Sequence, residues 1–226
     1  GIYSLFVSFF SVLNILYSIY FNFVVDINSY LITLIIFLSI SFLFCYVGRE
    51  YDKNISLTDQ IIFIILSFII IPAMISIPFF LSIYNISFLN SYFEAVSGLT
   101  TTGATLISDF NGAPRSVLFW RSLVGWIGGL STIVFALALL SLYRIGGMQL
   151  YRSAMPRGER DALLPRLIEG VRSIWTIYAG LTLACAVVLW ITGLSLFDSF
   201  TYAFSTLSTT GFSNSAASVA AFANPM

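Results

Sequence analysis

Ser91-Tyr92-Phe93-Glu94-Ala95-Val96-Ser97-Gly98-Leu99-Thr100-Thr101-Thr102-Gly103 returns 108 residues later (211 less 103) as Ser199-Phe200-Thr201-Tyr202-Ala203-Phe204-Ser205-Thr206-Leu207-Ser208-Thr209-Thr210-Gly211. Seven of the thirteen positions are identical: Ser, Ala, Ser, Leu, Thr, Thr and Gly. Each copy lies between hydrophobic spans. Each is short, amphipathic, and ends in hydroxyls and a glycine, too polar there to cross a bilayer. A phrase of this kind, repeated in a chain of spans, suggests a loop that enters the membrane and returns. A repeat decides architecture before any single element does.

Around the repeat the chain is a membrane protein. It is 58% hydrophobic and 9% charged, where soluble domains carry about 25% charge, and its mean hydropathy is +0.95. A spanning helix needs roughly 20 apolar residues. Five candidates meet that: Tyr3–Val25, Tyr30–Val47, Leu57–Ile83, Ser116–Tyr143 and Ile174–Thr192. A signal peptide is the alternative for the first, but it lacks a basic n-region and a small-residue cleavage site.

Net charge is zero, which points to no nucleic-acid partner. The distribution says more. Six of the ten basic residues are Arg144, Arg152, Arg157, Arg160, Arg166 and Arg172, and the positive-inside rule makes that loop cytoplasmic. Counting back puts Arg49 and Lys53 on the same side, with the N-terminus inside. Both repeated phrases then enter from outside. Cys45 and Cys185 lie within spans and read as small apolar residues. The absence of histidine removes histidine ligands, histidine bases and the usual Ser-His-Asp triad.

The first two spans form a hairpin with an outer turn at Asp26–Ser29 and have no counterpart later. The repeat unit starts with the span bearing Pro72 and Pro78, which should bend it. Ser87 is a plausible N-cap for a short helix ending near Leu99, and Ser195 for its copy. Ser195 and Asp198 resemble a capping box with Asp in place of Glu. The return span carries Gly125, Gly128 and Gly129, read as close approach or bending. The order is span, short helix, turn, span.

A cation crossing lipid needs oxygens in place of its water, as rings of backbone carbonyls supply. Gly103 and Gly211 allow backbone closed to other residues. The hydroxyls of Thr101, Thr102, Thr209 and Thr210 can add ligands or satisfy irregular backbone. Each short helix aims its negative C-terminal end at its turn. A lone Thr-Thr-Gly is usually a turn or helix C-cap; two copies after matching capped helices point to a pore. Glu94, Asp109 and Asp198 are placed near the outer face, able to attract cations, with capping the alternative for Asp198 and a solvated loop for Asp109. Arg121, near the outer end of its span, is expected to bind a carboxylate or loop carbonyls as a strut.

These residues carry a resemblance. Glu94–Thr105 resembles the first pore loop of TrkH/KtrB-type bacterial potassium uptake proteins. Phe119-Trp120-Arg121-Ser122, Trp126-Ile127-Gly128-Gly129, Gly146-Gly147-Met148-Gln149-Leu150-Tyr151-Arg152 and Ala203–Ser213 resemble that family in its order. The match runs from about Tyr92 to Ser213. The resemblance implies an all-α membrane fold: a helix hairpin followed by tandem span–pore-helix–filter–span repeats, two of an expected four being present. It implies an accessory pair over 1–56, a first pore repeat over 57–143, an Arg-rich cytoplasmic loop over 144–171 and a second pore repeat over 172–226 that stops after its filter. It implies potassium uptake across the bacterial inner membrane, described in the Trk type as proton- or sodium-coupled. It places potassium at Thr101, Thr102, Thr209 and Thr210, with Gly103 and Gly211 completing the filters. It implies membrane lipid around a homodimer, no cofactor in this chain, and a cytoplasmic nucleotide-binding subunit of TrkA/KtrA type able to meet the Arg144–Arg172 loop.

The family's third and fourth repeats are missing and the chain begins at Gly1, which reads as the N-terminal half of a longer protein. Two other readings stay open. One is a half-pore subunit that completes four filters by dimerising. The other is a membrane-embedded transferase using the arginine loop for anionic head groups. Its only nearby acids, Glu159, Asp161 and Glu169, look like helix-surface partners of the arginines.

Overall fold

The computed structural model describes residues 2–20, 24–48, 57–83, 86–107, 113–143 and 163–215. All regular structure among them is helical, in the order α1 (Ile2–Tyr20), α2 (Val24–Gly48), α3 (Leu57–Ser82), α4 (Phe88–Leu99), α5 (Arg115–Tyr143), α6 (Leu163–Ile191) and α7 (Leu196–Leu207). Four helices are long and apolar enough to cross a membrane, through Ile27–Gly48, Ile65–Ser82, Arg115–Ala136 and Glu169–Ile191. The apolar run described in α1, Ser11–Tyr20, is shorter, so four of the five expected spans meet the length test among the described residues.

Two boundaries differ from expectation. Asp26–Ser29 is not a turn; these residues lie in the first turns of α2. Polar residues there mimic a loop in sequence, yet polar side chains near the start of a helix do not interrupt it. The start of α6 is at Leu163, well ahead of the apolar span that begins at Ile174. Its first turns carry Arg166, Glu169 and Arg172. Hydropathy ends a membrane span, but only caps or breakers end a helix, and Pro165 is tolerated in a first turn. Arg144, Arg152, Arg157, Arg160 and Asp109 lie outside the described residues.

The packing centres on α5, which contacts α1, α3, α4, α6 and α7. Of its spanning window 61% is buried, against 17% in α2 and in α6. Val117, Trp120, Leu123, Val124, Trp126 and Leu130 of α5 form one core cluster with Tyr30, Ile75, Phe79, Ala95 and Tyr178. The outer faces of α2 (Ile35, Phe42), α3 (Ile65, Phe68) and α6 (Ile177, Val188) expose large apolar side chains, as a hydrocarbon solvent permits.

Continuous through Pro72 and Pro78, both fully buried, α3 keeps its helical course. A proline cannot donate and pushes on the preceding turn, so nearby carbonyls need other donors. Two are supplied: Tyr92 Oη donates to the Ile69 carbonyl (3.3 Å) and Trp120 Nε1 to the Ile75 carbonyl (3.3 Å). Each carbonyl lies three residues before a proline. The same two bonds tie α3 to α4 and to α5.

Candidate functional site: two equivalent loops

The sequence repeat is a repeat of geometry. Ser87 caps α4 by accepting from the Asn90 N–H (3.2 Å), and Ser195 caps α7 by accepting from the Asp198 N–H (3.1 Å). In the second copy the cap is reciprocal, because Ser195 Oγ donates to Asp198 Oδ2 (2.7 Å). The other oxygen of Asp198 accepts from Asn214 Nδ2 (2.9 Å). Asp198 is therefore a cap and a tether for the descending chain.

Both short helices end in a Schellman motif. The Thr102 N–H donates to the Ser97 carbonyl (2.9 Å) and the Thr101 N–H to the Gly98 carbonyl (3.0 Å). The copy has Thr210 to Ser205 (3.1 Å) and Thr209 to Thr206 (3.1 Å). The motif requires a left-handed residue just past the cap, a place glycine usually fills. Here it is Thr101 (φ 55°) and Thr209 (φ 58°). A β-branched residue in that region costs about 1–2 kcal/mol. Gly103 (φ 75°) and Gly211 (φ 76°) follow two residues on. The backbone thus alternates in the sign of φ across Thr101-Thr102-Gly103 and across Thr209-Thr210-Gly211.

The rest of each loop is fastened at matching positions. Ser97 Oγ donates to the Ala104 carbonyl (2.6 Å), and Ser205 Oγ to the Phe212 carbonyl (2.8 Å). The hydroxyls of Thr100 and Thr102 are 2.8 Å apart; those of Ser208 and Thr210 are 2.6 Å apart. The expected site residues differ in exposure: Thr102, Thr209 and Gly211 are exposed, Thr101 and Gly103 half-buried, and Thr210 buried. The two loops meet. A Cβ on Gly103 would stand 1.9 Å from the Thr210 carbonyl oxygen, whereas one on Gly211 would meet nothing within 4 Å.

The glycines of α5 lie against both loops. A Cβ on Gly128 would fall 2.3 Å from the Leu99 carbonyl oxygen, one on Gly129 2.9 Å from Ser208 Cα, and one on Gly125 2.6 Å from Thr210 Oγ1. Close approach is the reading these distances support. Around the second loop, Trp126 packs on Phe204 (5.5 Å between centroids) and Tyr178 (5.2 Å). Tyr178 Oη donates to the Trp126 carbonyl (3.1 Å), and Trp126 Nε1 to Thr182 Oγ1 (2.9 Å).

Glu94 corrects an expectation. It is wholly buried and engaged by neighbouring donors, so it is not a solvent-facing carboxylate free to draw cations. Its Oε1 accepts from Thr105 Oγ1 (2.8 Å), from the Leu106 N–H and from the Ile107 N–H (3.3 Å). Its Oε2 lies 3.5 Å from Arg121 Nε. Arg121 in turn stands over the Phe212 ring (3.9 Å) and donates from Nη1 to the Ser213 carbonyl (3.5 Å). The expected strut is present, with both partners anticipated by type. Sequence reasoning missed Tyr202, which occupies Glu94's place in the second copy and shares a hydrogen bond with Ser213 Oγ (2.9 Å). The 108-residue offset, which pairs Glu94 with Tyr202 and Thr105 with Ser213, was the signal that could have found it. Among the described residues no group of three or more His, Cys, Asp or Glu side chains converges to hold a metal.

The fold and the doubled loop define a polytopic α-helical membrane protein built on an internal repeat. Residues 26–226 match the family model TrkH, described as a cation transport protein, and the chain belongs to that family. That family is one of transporters, not enzymes. The chain is 37% identical over 187 residues to the Trk system potassium uptake protein TrkH of Vibrio parahaemolyticus, covering 80% of this chain and 39% of that protein. It is 38% identical over 197 residues to the Trk system potassium uptake protein TrkG of Escherichia coli K12, covering 86% and 41%. The crystal structure of the potassium transporter TrkH from Vibrio parahaemolyticus superposes with a TM-score of 0.79 at 30% identity, over 99% of this chain and 45% of that one. The chain thus spans about two fifths of the length of the curated relatives it matches.

Proposed function

We propose that this chain contributes two of the filter loops of a potassium uptake pore in the bacterial inner membrane, as part of the transmembrane subunit of a Trk/Ktr-like system. The observation that carries the reading is the alternating backbone at Thr101–Gly103 and Thr209–Gly211. Strained residues persist where the surrounding structure over-determines them, and they gather at functional sites; here the same strain occurs twice. A chain whose φ alternates in sign can turn successive carbonyls to one side, which an extended strand cannot. Such carbonyls, together with the threonine oxygens, can replace a cation's hydration shell. Each loop also sits at the negative end of a short helix, which favours a cation.

In this reading 1–56 is an accessory helix pair, 57–143 and 172–226 are pore repeats, and 144–171 is a cytoplasmic segment, with the N-terminus inside. The filter residues are Thr101, Thr102, Gly103, Thr209, Thr210 and Gly211. The naming of relatives as Trk system proteins supports potassium as the transported ion and a cytoplasmic regulatory subunit as partner; a homodimer in lipid completes the proposal. In the full-length protein, Gly103→Val and Gly211→Val should each lower rubidium uptake relative to sodium uptake. Unchanged discrimination in both would sink the filter assignment.

A further inference from the structure

We propose that Glu94 and Arg121 form a clamp between the two loops, a specificity-determining pair that fixes how far one filter segment stands from the other. The inference rests on the filter reading above. Glu94 gathers the chain that leaves the first loop: one of its oxygens accepts from the Thr105 hydroxyl and from the Leu106 and Ile107 N–H groups. Its second oxygen faces Arg121 Nε at 3.5 Å. The guanidinium lies 3.9 Å from the Phe212 ring centroid and reaches the Ser213 carbonyl, so it holds the chain that leaves the second loop. A continuous path therefore runs from residues 105–107 through Glu94 and Arg121 to residues 212–213.

Stability alone does not account for the pair. Glu94 is 0% exposed and Arg121 2%, and burying two charges is costly enough that a well-packed apolar pair is often as stable. In the second loop the residue at Glu94's place, Tyr202, ties Ser213 to its own helix without charge, so that position does not require a carboxylate for local anchoring. What the ion pair adds is a link from the first loop, through Glu94 of α4 and Arg121 of α5, to the second loop. The guanidinium's planar face over Phe212 and its Nη1 donor to the Ser213 carbonyl fix an orientation as well as a distance. The segments so connected flank the place where Gly103 abuts the Thr210 carbonyl, so a change in their spacing is felt at the proposed ion path.

The test uses the full-length protein in proteoliposomes, measuring rubidium and sodium uptake, with thermal unfolding followed in detergent. Arg121→Lys keeps the charge and loses the planar fork; Glu94→Gln keeps an acceptor and loses the charge. Each should lower the rubidium-to-sodium uptake ratio at least threefold while the protein remains folded. The double variant should lower it little further, because the first substitution already opens the clamp. A ratio that stays constant while total uptake falls with folded protein would make the pair a structural element and overturn the proposal. If the single variants do not fold, Arg121→Met with Glu94→Gln removes both charges; a folded neutral pair with normal selectivity also overturns it. Gly103→Ala separates the two levels: if it too leaves the ratio unchanged, the filter reading itself fails, whereas a ratio changed by Gly103→Ala and by neither clamp variant removes the clamp alone.

Discussion

The first and second loops share a backbone and differ in what holds it. Both have a serine-capped helix, a Schellman turn with threonine in the left-handed position, and a glycine two residues later. The first is anchored by a buried carboxylate that gathers three donors. The second is anchored by Tyr202 on Ser213 and by Asp198 and Thr201 on Asn214. Its helix is also wedged by aromatic rings, Phe204 against Phe119 and Trp126, where the first copy has only Val96 at that position. Local geometry has been kept while its supports have diverged. What the two copies share is the turn itself, the element proposed above to form the filter; the groups that tie each turn to its own helix differ.

The sharpest way to break the comparison is at the glycines. Alanine at either position inherits a left-handed backbone strain, but only at 103 does the new methyl collide with a carbonyl oxygen. Gly103→Ala should therefore reduce rubidium uptake by the full-length protein about tenfold or more, the equivalent of about 1.4 kcal/mol, and Gly211→Ala only a few fold. Equal losses would mean both glycines are enclosed in the working protein.

Next come the α5 glycines, one for each loop. Gly128→Ala drives a methyl into the Leu99 carbonyl and Gly129→Ala into the Ser208 backbone. Overpacking of this kind costs about 1–3 kcal/mol, so both should lower the unfolding temperature, Gly128→Ala more. Gly180→Ala in α6, with nothing within 4 Å, should leave it unchanged or slightly raised. A smaller effect of opposite sign is expected at the strained threonines. Thr101→Gly and Thr209→Gly should each relieve about 1 kcal/mol of strain and raise the unfolding temperature, while rubidium uptake falls. If stability falls instead, the hydroxyls matter more to folding than the backbone does.

The smallest contrast lies at the caps. Ser87→Ala and Ser195→Ala each remove a bond worth about 1 kcal/mol. The second also frees a carboxylate oxygen of Asp198, so Ser195→Ala should be the more destabilising. Equal melting shifts would show that the reciprocal bond adds nothing.

The caps and the short helices were legible because they are local: Ser87 and Ser195 reach only three residues ahead. The positive φ of Gly103 and Gly211 was legible for the same reason. The left-handed threonines were not assigned, although a helix ending at Leu99 puts Thr101 at the position a Schellman turn requires. A turn was expected at Asp26–Ser29 because Asp26, Asn28 and Ser29 read as loop, yet these residues lie within the first two turns of α2. Glu94 was read as a carboxylate able to attract cations because a lone acid on an amphipathic helix has no sequence mark that distinguishes a solvated face from a buried partner. Arg121 was read correctly because an arginine inside an apolar span has to be paired.

Composition and hydropathy by themselves determined a helical membrane protein, and the doubled phrase determined that one capped helix and turn occur twice. These properties depend on apolar length and on bonds between residues a few positions apart. Only the tertiary structure decided that α5 packs against both loops, that Gly103 meets Thr210, and that Glu94, Arg121, Phe212 and Ser213 form one path. Those residues are tens of positions apart, and their meeting is fixed by how whole helices pack, which no local pattern encodes.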